Sequence, residues 1–413
     1  MSTAPGEAGT ARLPHRAPAS LLFVLVCAMG VGPLLNYGLS AASPLVLRDL
    51  GISQSQFGLV AGAVFASAAV SSAWLGRFSD RATSRQQIVL IFAGTVVALV
   101  IAALAQNFWV LLVAVILAGP AQAISNPTTN RLIVTAVPQA QRSGWIGIKQ
   151  SGVQASQLFA GLFIPAVSLW LGWHGAFALA AVVAAGLLWY GLRKLPREAP
   201  RPLAKAARSA SDKEPLPLPV WLFAAFAFFS GLGMQATNVY LPLYAVRALD
   251  FPLVLAGAAA GVSGVVGVTS RVIWGRQMAQ GRRPSGILIA LAAGAVLGVA
   301  CLLAAGALRQ PALLWAGVAL HGATVLGANV ITNSAVLVVV PSERVGTASG
   351  VLAMGMYAGF ALGPFVMGLL ADASGGYDVG WLTVGTGYLV CVVVALWLRR
   401  YGRTHPWTVL TTR

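Results

Sequence analysis

The chain alternates long apolar runs with short polar breaks. Twelve runs fall at 19–42, 55–76, 87–105, 108–134, 144–170, 174–192, 219–244, 253–275, 285–306, 311–338, 346–370 and 380–398. Each is close to or longer than the ~20 apolar residues that a helix needs to cross a bilayer. The expected fold class is all-α and integral to a membrane, with twelve transmembrane helices. The one long break, 193–218, holds Pro196, Pro200, Pro202, Pro215 and Pro217 among many charges, which suits a solvated linker. It separates a first six-helix half (19–192, after a tail at 1–18) from a second (219–398, before a tail at 399–413). Residues 1–18, with Arg12 and Arg16, have the outline of a cleavable signal peptide when joined to the first run. That run has an internal counterpart later in the chain, so it is read as a retained helix.

The halves repeat. A shift of 199 places Gly32 on Gly231, Arg48 on Arg247, Gly58 on Gly257, Gly62 on Gly261, and Gly76-Arg77 on Gly275-Arg276. A shift of 203 places Asn126 on Asn329, Thr129 on Thr332, Asn130 on Asn333 and Gly147 on Gly350. Two pseudo-repeats of six helices in parallel orientation are the expected architecture.

Composition agrees with the pattern. Hydrophobic residues make up 58% and charged residues 9%, against about a quarter charged in a soluble domain. A net charge of +17 and an isoelectric point near 11.0 would suggest a nucleic-acid partner in a soluble chain. Here the basic residues sit in breaks between apolar runs, so no nucleic acid is expected. Of the 27 Lys and Arg, 21 fall in the tails, the linker and the even-numbered breaks. Arg48, Arg247 and Arg309 fall in the odd-numbered breaks, and Arg131, Lys149 and Arg271 lie inside runs. This asymmetry predicts that both termini are cytoplasmic. Cys27, Cys301 and Cys391 all lie in apolar runs and read as small hydrophobes, with no metal spacing.

All ten acidic residues, from Glu7 to Asp378, fall in breaks, tails or helix ends. A carboxylate at mid-membrane is the usual proton carrier or partner of a cationic drug, so its absence disfavours cation–proton antiport. It also removes the paired aspartates that a membrane prenyltransferase needs for magnesium diphosphate. With no nucleotide loop, zinc motif or nucleophile elbow, neither an enzyme nor a bound cofactor is expected.

Polar residues inside a membrane mark faces turned to a cavity or to another helix. On the fourth run Gln122, Asn126, Thr129 and Asn130 share one face; on the tenth, Asn329, Thr332 and Asn333 do, with His321 at its edge. The fifth run carries Gln150, Gln154 and Gln157, and the first and seventh place Asn36 and Gln235 at matching repeat positions. The third, sixth, ninth and twelfth runs are nearly bare of such groups, which predicts that they face lipid. Interhelical hydrogen bonding explains any single amide equally well; matching stripes in both repeats favour a water-filled cavity. Lys149 and Arg271 are expected about five and four residues inside the linker-side ends of their helices. From there both charges can snorkel to the interface.

Between the second and third runs lies GRFSDRATSR, residues 76–85. Read as a water-exposed loop of about ten residues, it resembles the corresponding loop of the major facilitator superfamily of transporters, roughly G-x-x-x-D-R-x-G-R-[RK], departing from it at Thr83 and Ser84. The resemblance implies a cytoplasmic latch formed by Gly76, Asp80, Arg81 and Arg85, with Asp80 facing the helix N-terminus near Gly346. Asp80 maps onto Ala279, so only the first half would carry the acidic group. NPTTNRLI followed by GIKQSG, about 25 residues in all, is similar to bacterial permeases near the cyanate and nitroimidazole group. In the resembled fold the helices of Lys149 and Arg271 meet between the halves, which implies two unpaired cations facing each other with an anion between them. Together these resemblances imply a monomeric secondary active transporter in a bacterial inner membrane. It would move a small organic or inorganic anion by alternating access, with a coupling proton as a further partner. Export of neutral metabolites or drugs, and a non-transporting sensor on the same fold, remain the alternative readings.

Overall fold

A computed structural model describes residues 18–195, 215–280, 282–341 and 344–404, with the side chains of 76–81 and a few other positions outside that description. Among the described residues all regular structure is helical. The first run is broken: α1 (Ala19–Val31) meets α2 (Leu34–Ala41) at a bend of 53°. Pro33 supplies the break, because its ring removes a donor and clashes with the preceding turn. A short α3 (Ser43–Leu50) follows and ends on left-handed Gly51. Then come α4 (Gln54–Arg81), α5 (Ser84–Ala103), α6 (Phe108–Ala136) and α7 (Gln139–Lys194). The second set comprises α8 (Leu218–Leu249), α9 (Leu253–Ala279), α10 (Pro284–Leu308), α11 (Pro311–Val339), α12 (Val345–Ser374) and α13 (Asp378–Thr404).

As one straight rod, α7 would be roughly 84 Å long, far beyond the thickness of a bilayer. It turns back at Gly172, where φ is 68° and ψ 172°, a region essentially closed to any residue with a Cβ. Its two arms therefore count as the fifth and sixth crossings. With the bent α1–α2 pair as one span, the twelve expected crossings are accounted for.

The helix pairs repeat between the two sets. In the first, α4 packs on α6, α5 on α6, α1 on α7 and α5 on α7; in the second, α9 packs on α11, α10 on α11, α8 on α12 and α10 on α13. Between the sets, α4 lies against α12 and the first arm of α7 against α9, with α2 crossing α8. Exposed apolar side chains line α5 (Val89, Val97, Val100), the second arm of α7 (Val182, Trp189), α10 (Leu297) and α13 (Leu382, Leu389, Val393). These are the helices expected to face lipid, but α6 (Trp109, Val113, Ile116) and α9 (Val262, Val265, Val272) expose apolar side chains as well, so exposure does not set the four apart.

One expectation changes. The stretch GRFSDRATSR is not a ten-residue loop: α4 runs on to Arg81 and α5 begins at Ser84. Thr83 closes the gap with a capping box. Its hydroxyl accepts from Gln86 N (3.2 Å), and the Gln86 side chain accepts from Thr83 N (2.9 Å). The side chains of Asp80 and Arg81, and any latch they form with Gly76, lie outside the described residues. Arg85 is half-buried on the first turn of α5.

A closed end, an open end and the polar wall between them

The chain crosses back and forth, so every crossing has one end on the side where α7 finishes and α8 starts, here called the linker end, and one far from it. At the far end the two sets of helices are pressed together through glycines. A Cβ on Gly58 would overlap the Pro364 carbonyl, one on Gly62 the Ala361 carbonyl, and Gly161 and Gly257 abut each other's backbone. Backbone approach this close needs the absence of a side chain.

Polar groups lock the same seam. Ser40 Oγ sits between two carbonyls of α8, Asn238 O at 2.7 Å and Val239 O at 2.9 Å. Tyr240 donates its hydroxyl to Gln54 O (2.5 Å). The Asp372 carboxylate, at the end of α12, accepts from Gln54 N (3.0 Å) and Ser55 N (2.8 Å). It thus caps α4, which belongs to the other set. Ser53 and Gln56 complete that cap, Gln56 N donating to Ser53 Oγ (3.1 Å) and Ser53 N to Gln56 Oε1 (2.9 Å).

At the linker end four glycines have no neighbour among the described residues. Around Gly144 and Gly147 on α7, and Gly346 and Gly350 on α12, the described atoms leave open space. The apolar core divides in the same way. One cluster joins the first set to the far-end parts of α8–α13, while the linker-end parts of α8, α10, α11, α12 and α13 form a separate cluster around Phe223, Leu291 and Ile331. Among the described residues the two sets of helices meet at the far end and part at the linker end.

The sequence-predicted polar residues line the parting in three tiers. Nearest the opening, Lys149 lies ten residues into α7, about 15 Å along it from its first residue. It is fully buried and turned to α6, where Nζ donates to Asn126 Oδ1 (2.7 Å) and Thr129 Oγ1 (2.8 Å). Gln150 adds a bond to the same Asn126 oxygen (3.3 Å). Asn126 and Asn130 are exposed. Across the parting, Asn329 is half-buried, and exposed Asn333 donates to the Asn329 carbonyl (2.7 Å) on its own helix.

In the middle tier, Arg271 lies eight residues from the end of α9, about 12 Å along the helix. Its Nε donates to Leu326 O (3.0 Å), and Nη1 crosses between the sets to Gln154 Oε1 on α7 (3.1 Å). Its charge lies within electrostatic reach of Tyr37 on α2. One expectation gives way here. The two cations do not face each other as a bare pair: Lys149 is held by α6, and Arg271 meets an amide.

In the third tier, towards the closed end, Gln157 Nε2 reaches Asn238 Oδ1 (3.5 Å), and His321 Nε2 approaches the same oxygen (3.2 Å). Asn36 on α2 and Gln235 on α8, one turn before Asn238, are also buried. Sequence reasoning missed Asn238, Tyr37, Ser40 and the cap made by Asp372. Asn238, three residues after Gln235, continues that stripe and was open to detection; the Asp372 cap joins residues 318 apart and had no local signal.

Known proteins place this architecture. The model of the Major Facilitator Superfamily matches residues 22–351 and, again, 278–412. The hexuronate transporter of Bacillus subtilis is 29% identical over 218 residues, 48% of this chain and 50% of that protein, so the match spans half of the relative's length. The probable sulfoacetate transporter SauU of Cupriavidus necator is 24% identical over 374 residues, covering 84% and 86%. The finer likeness to the cyanate and nitroimidazole branch rests on its 25 residues alone. Among solved structures, a bacterial homologue of the human lysosomal transporter Spinster superposes with a TM-score of 0.74 at 17% identity, covering 94% of this chain and 97% of that one. The nucleoside transporter NupG gives 0.72 at 16%, covering 92% and 98%. Twelve crossings in two matching sets, with a polar parting between them and this family match over most of its length, make the chain a member of the Major Facilitator Superfamily: a multi-pass membrane transporter and not an enzyme.

Proposed function

We propose that the chain is a secondary transporter of a small organic anion, working by alternating access. In this reading the linker end faces the cytoplasm of a bacterial cell, and the structure is the inward-open state. Arg271 carries the reading. It is a cation in the wall between the two sets of helices, held by a carbonyl and a neutral amide, with no carboxylate partner among the described residues. A charge kept this deep in a membrane is costly and marks a ligand path. The named relatives support the sign of the ligand, since hexuronate and sulfoacetate are both anions. The excess of Lys and Arg on the linker side supports the orientation.

In this mechanism an anion enters from the linker end, passes Asn126 and Gln150, and replaces Gln154 as the partner of Arg271. Closing the linker end then brings Gly147 and Gly350 towards the opposite set, with Gly76, Asp80, Arg81 and Arg85 as the latch, while the seam at Asp372 and Ser40 parts. Counterflow of labelled glucuronate and sulfoacetate in proteoliposomes tests the reading. Arg271→Gln should lower anion counterflow at least about 100-fold, and Arg271→Lys less, because a lysine keeps the charge but loses the planar fork. Counterflow of either anion undiminished in Arg271→Gln would overturn it.

A further inference from the structure

Beyond Arg271, towards the closed end, four amides are at least 97% buried, and each leaves one polar atom without a hydrogen-bond partner: Asn36 Oδ1, Gln157 Oε1, Gln235 Nε2 and Asn238 Nδ2. Buried polar atoms in folded proteins are almost always paired, so four orphans together call for a cause. They come from three helices, α2, α7 and α8, and from both sets. They also belong to one neighbourhood. Gln157 is one turn beyond Gln154, the partner of Arg271, and bonds to Asn238. Gln235 is one turn from Asn238, and Asn36 is next in sequence to Tyr37, which lies within electrostatic reach of Arg271.

The inventory is two acceptors and two donors. A carboxylate or sulfonate only accepts, so a bare small anion satisfies Arg271 and strands Asn36 Oδ1 and Gln157 Oε1. A hydroxyl both donates and accepts, and therefore matches a mixed set of amides. We propose that this cluster is the subsite for the hydroxyl groups of the substrate, which makes the transported anion a polyhydroxylated carboxylic acid. A short acceptor-only anion such as a sulfoalkanoate does not fit it. The inference rests on Arg271 binding the charged end, and it adds the neutral end. It also gives closure of the far end a chemical condition: the seam shuts over these amides, and a substrate hydroxyl relieves the orphans that an empty closure leaves.

The test is inhibition of labelled glucuronate counterflow by unlabelled probes, using the full chain in proteoliposomes. The probes are glucuronate, cyclohexanecarboxylate (the same size and charge without hydroxyls), sulfoacetate, and neutral methyl glucoside. Glucuronate should outcompete cyclohexanecarboxylate and sulfoacetate by about 100-fold or more, since a site built to bond hydroxyls rejects analogues lacking them. Asn36→Leu and Gln235→Leu should each narrow the glucuronate-to-cyclohexanecarboxylate ratio at least about tenfold, with a thermal midpoint equal to or above that of the wild type. A narrowed ratio accompanied by a lower midpoint makes these amides structural and overturns the subsite. Equal inhibition by all three anions in the wild type overturns it as well, while leaving the Arg271 reading intact. Inhibition by methyl glucoside as strong as by glucuronate would defeat the Arg271 reading and leave the hydroxyl subsite standing.

Discussion

Asp372 offers the most direct perturbation of the closed end. Its carboxylate takes the first two free N–H groups of α4 at 3.0 and 2.8 Å, while Ser53 takes the third. Losing a capping acceptor costs about 0.5–2 kcal/mol, and losing a negative charge at a helix N-terminus about 0.3–1 kcal/mol. The carboxylate is exposed, so screening holds both contributions to the lower part of their ranges. Asp372→Ala should therefore weaken the closed seam by about 1 kcal/mol, roughly fivefold in the open-to-closed ratio. Asp372→Asn keeps an acceptor and should cost about half as much. These energies apply only to conformers in which the seam is shut, so they shift the equilibrium rather than global stability. The assay is the rate at which a cysteine introduced at Val239, buried under Ser40, reacts with an impermeant thiol reagent added from the far side. Cys27, Cys301 and Cys391 would first be replaced. Asp372→Ala should raise that rate about fivefold at low salt and less at high salt. If Asp80 is the opposing latch, Asp80→Asn should lower it. An unchanged rate in Asp372→Ala at low salt would refute the cap as a gate.

Two further outcomes are expected. Lys149→Gln removes a buried, charge-assisted network to Asn126 and Thr129, so it should lower stability by about 1–3 kcal/mol in thermal unfolding while leaving the KM for the anion within about twofold. A tenfold rise in KM at unchanged stability would make Lys149 a direct anion contact. A reporter fused after Arg413 that works only outside the cytoplasm should be silent in a bacterial host, and activity there would invert the orientation drawn from the basic residues.

The number and order of the crossings were legible because a bilayer demands about twenty apolar residues per span. The turn at Gly172 was legible too, falling in the gap between two apolar runs. Helix ends were not, because a helix can continue into water after its apolar face stops. That is why α4 overran the expected loop and why α7 begins at Gln139, before its apolar run. The motifs T-x-x-Q at Thr83 and S-x-x-Q at Ser53 did announce the true starts of α5 and α4. Amide stripes identified the polar wall, yet not its pairings. That Arg271 meets Gln154, and Asp372 meets Gln54, depends on how the two sets of helices dock, and no local spacing encodes it.

The open glycines bear on any effort to make this protein sturdier. Gly144, Gly147, Gly346 and Gly350 sit on exposed helix surfaces, where replacement by alanine ordinarily gains about 0.8–1 kcal/mol of helix propensity each. By the measures of thermostability engineering they are the obvious sites to improve, and a screen for melting temperature would select them. Their counterparts at the far end, Gly58, Gly62, Gly161 and Gly257, show what such positions are for once two helices meet. On the alternating-access reading, alanines at the linker end would yield a protein that is firmer, easier to purify and arrested. Resistance to heat and the capacity to turn over would then be drawn from the same four residues, in opposite directions.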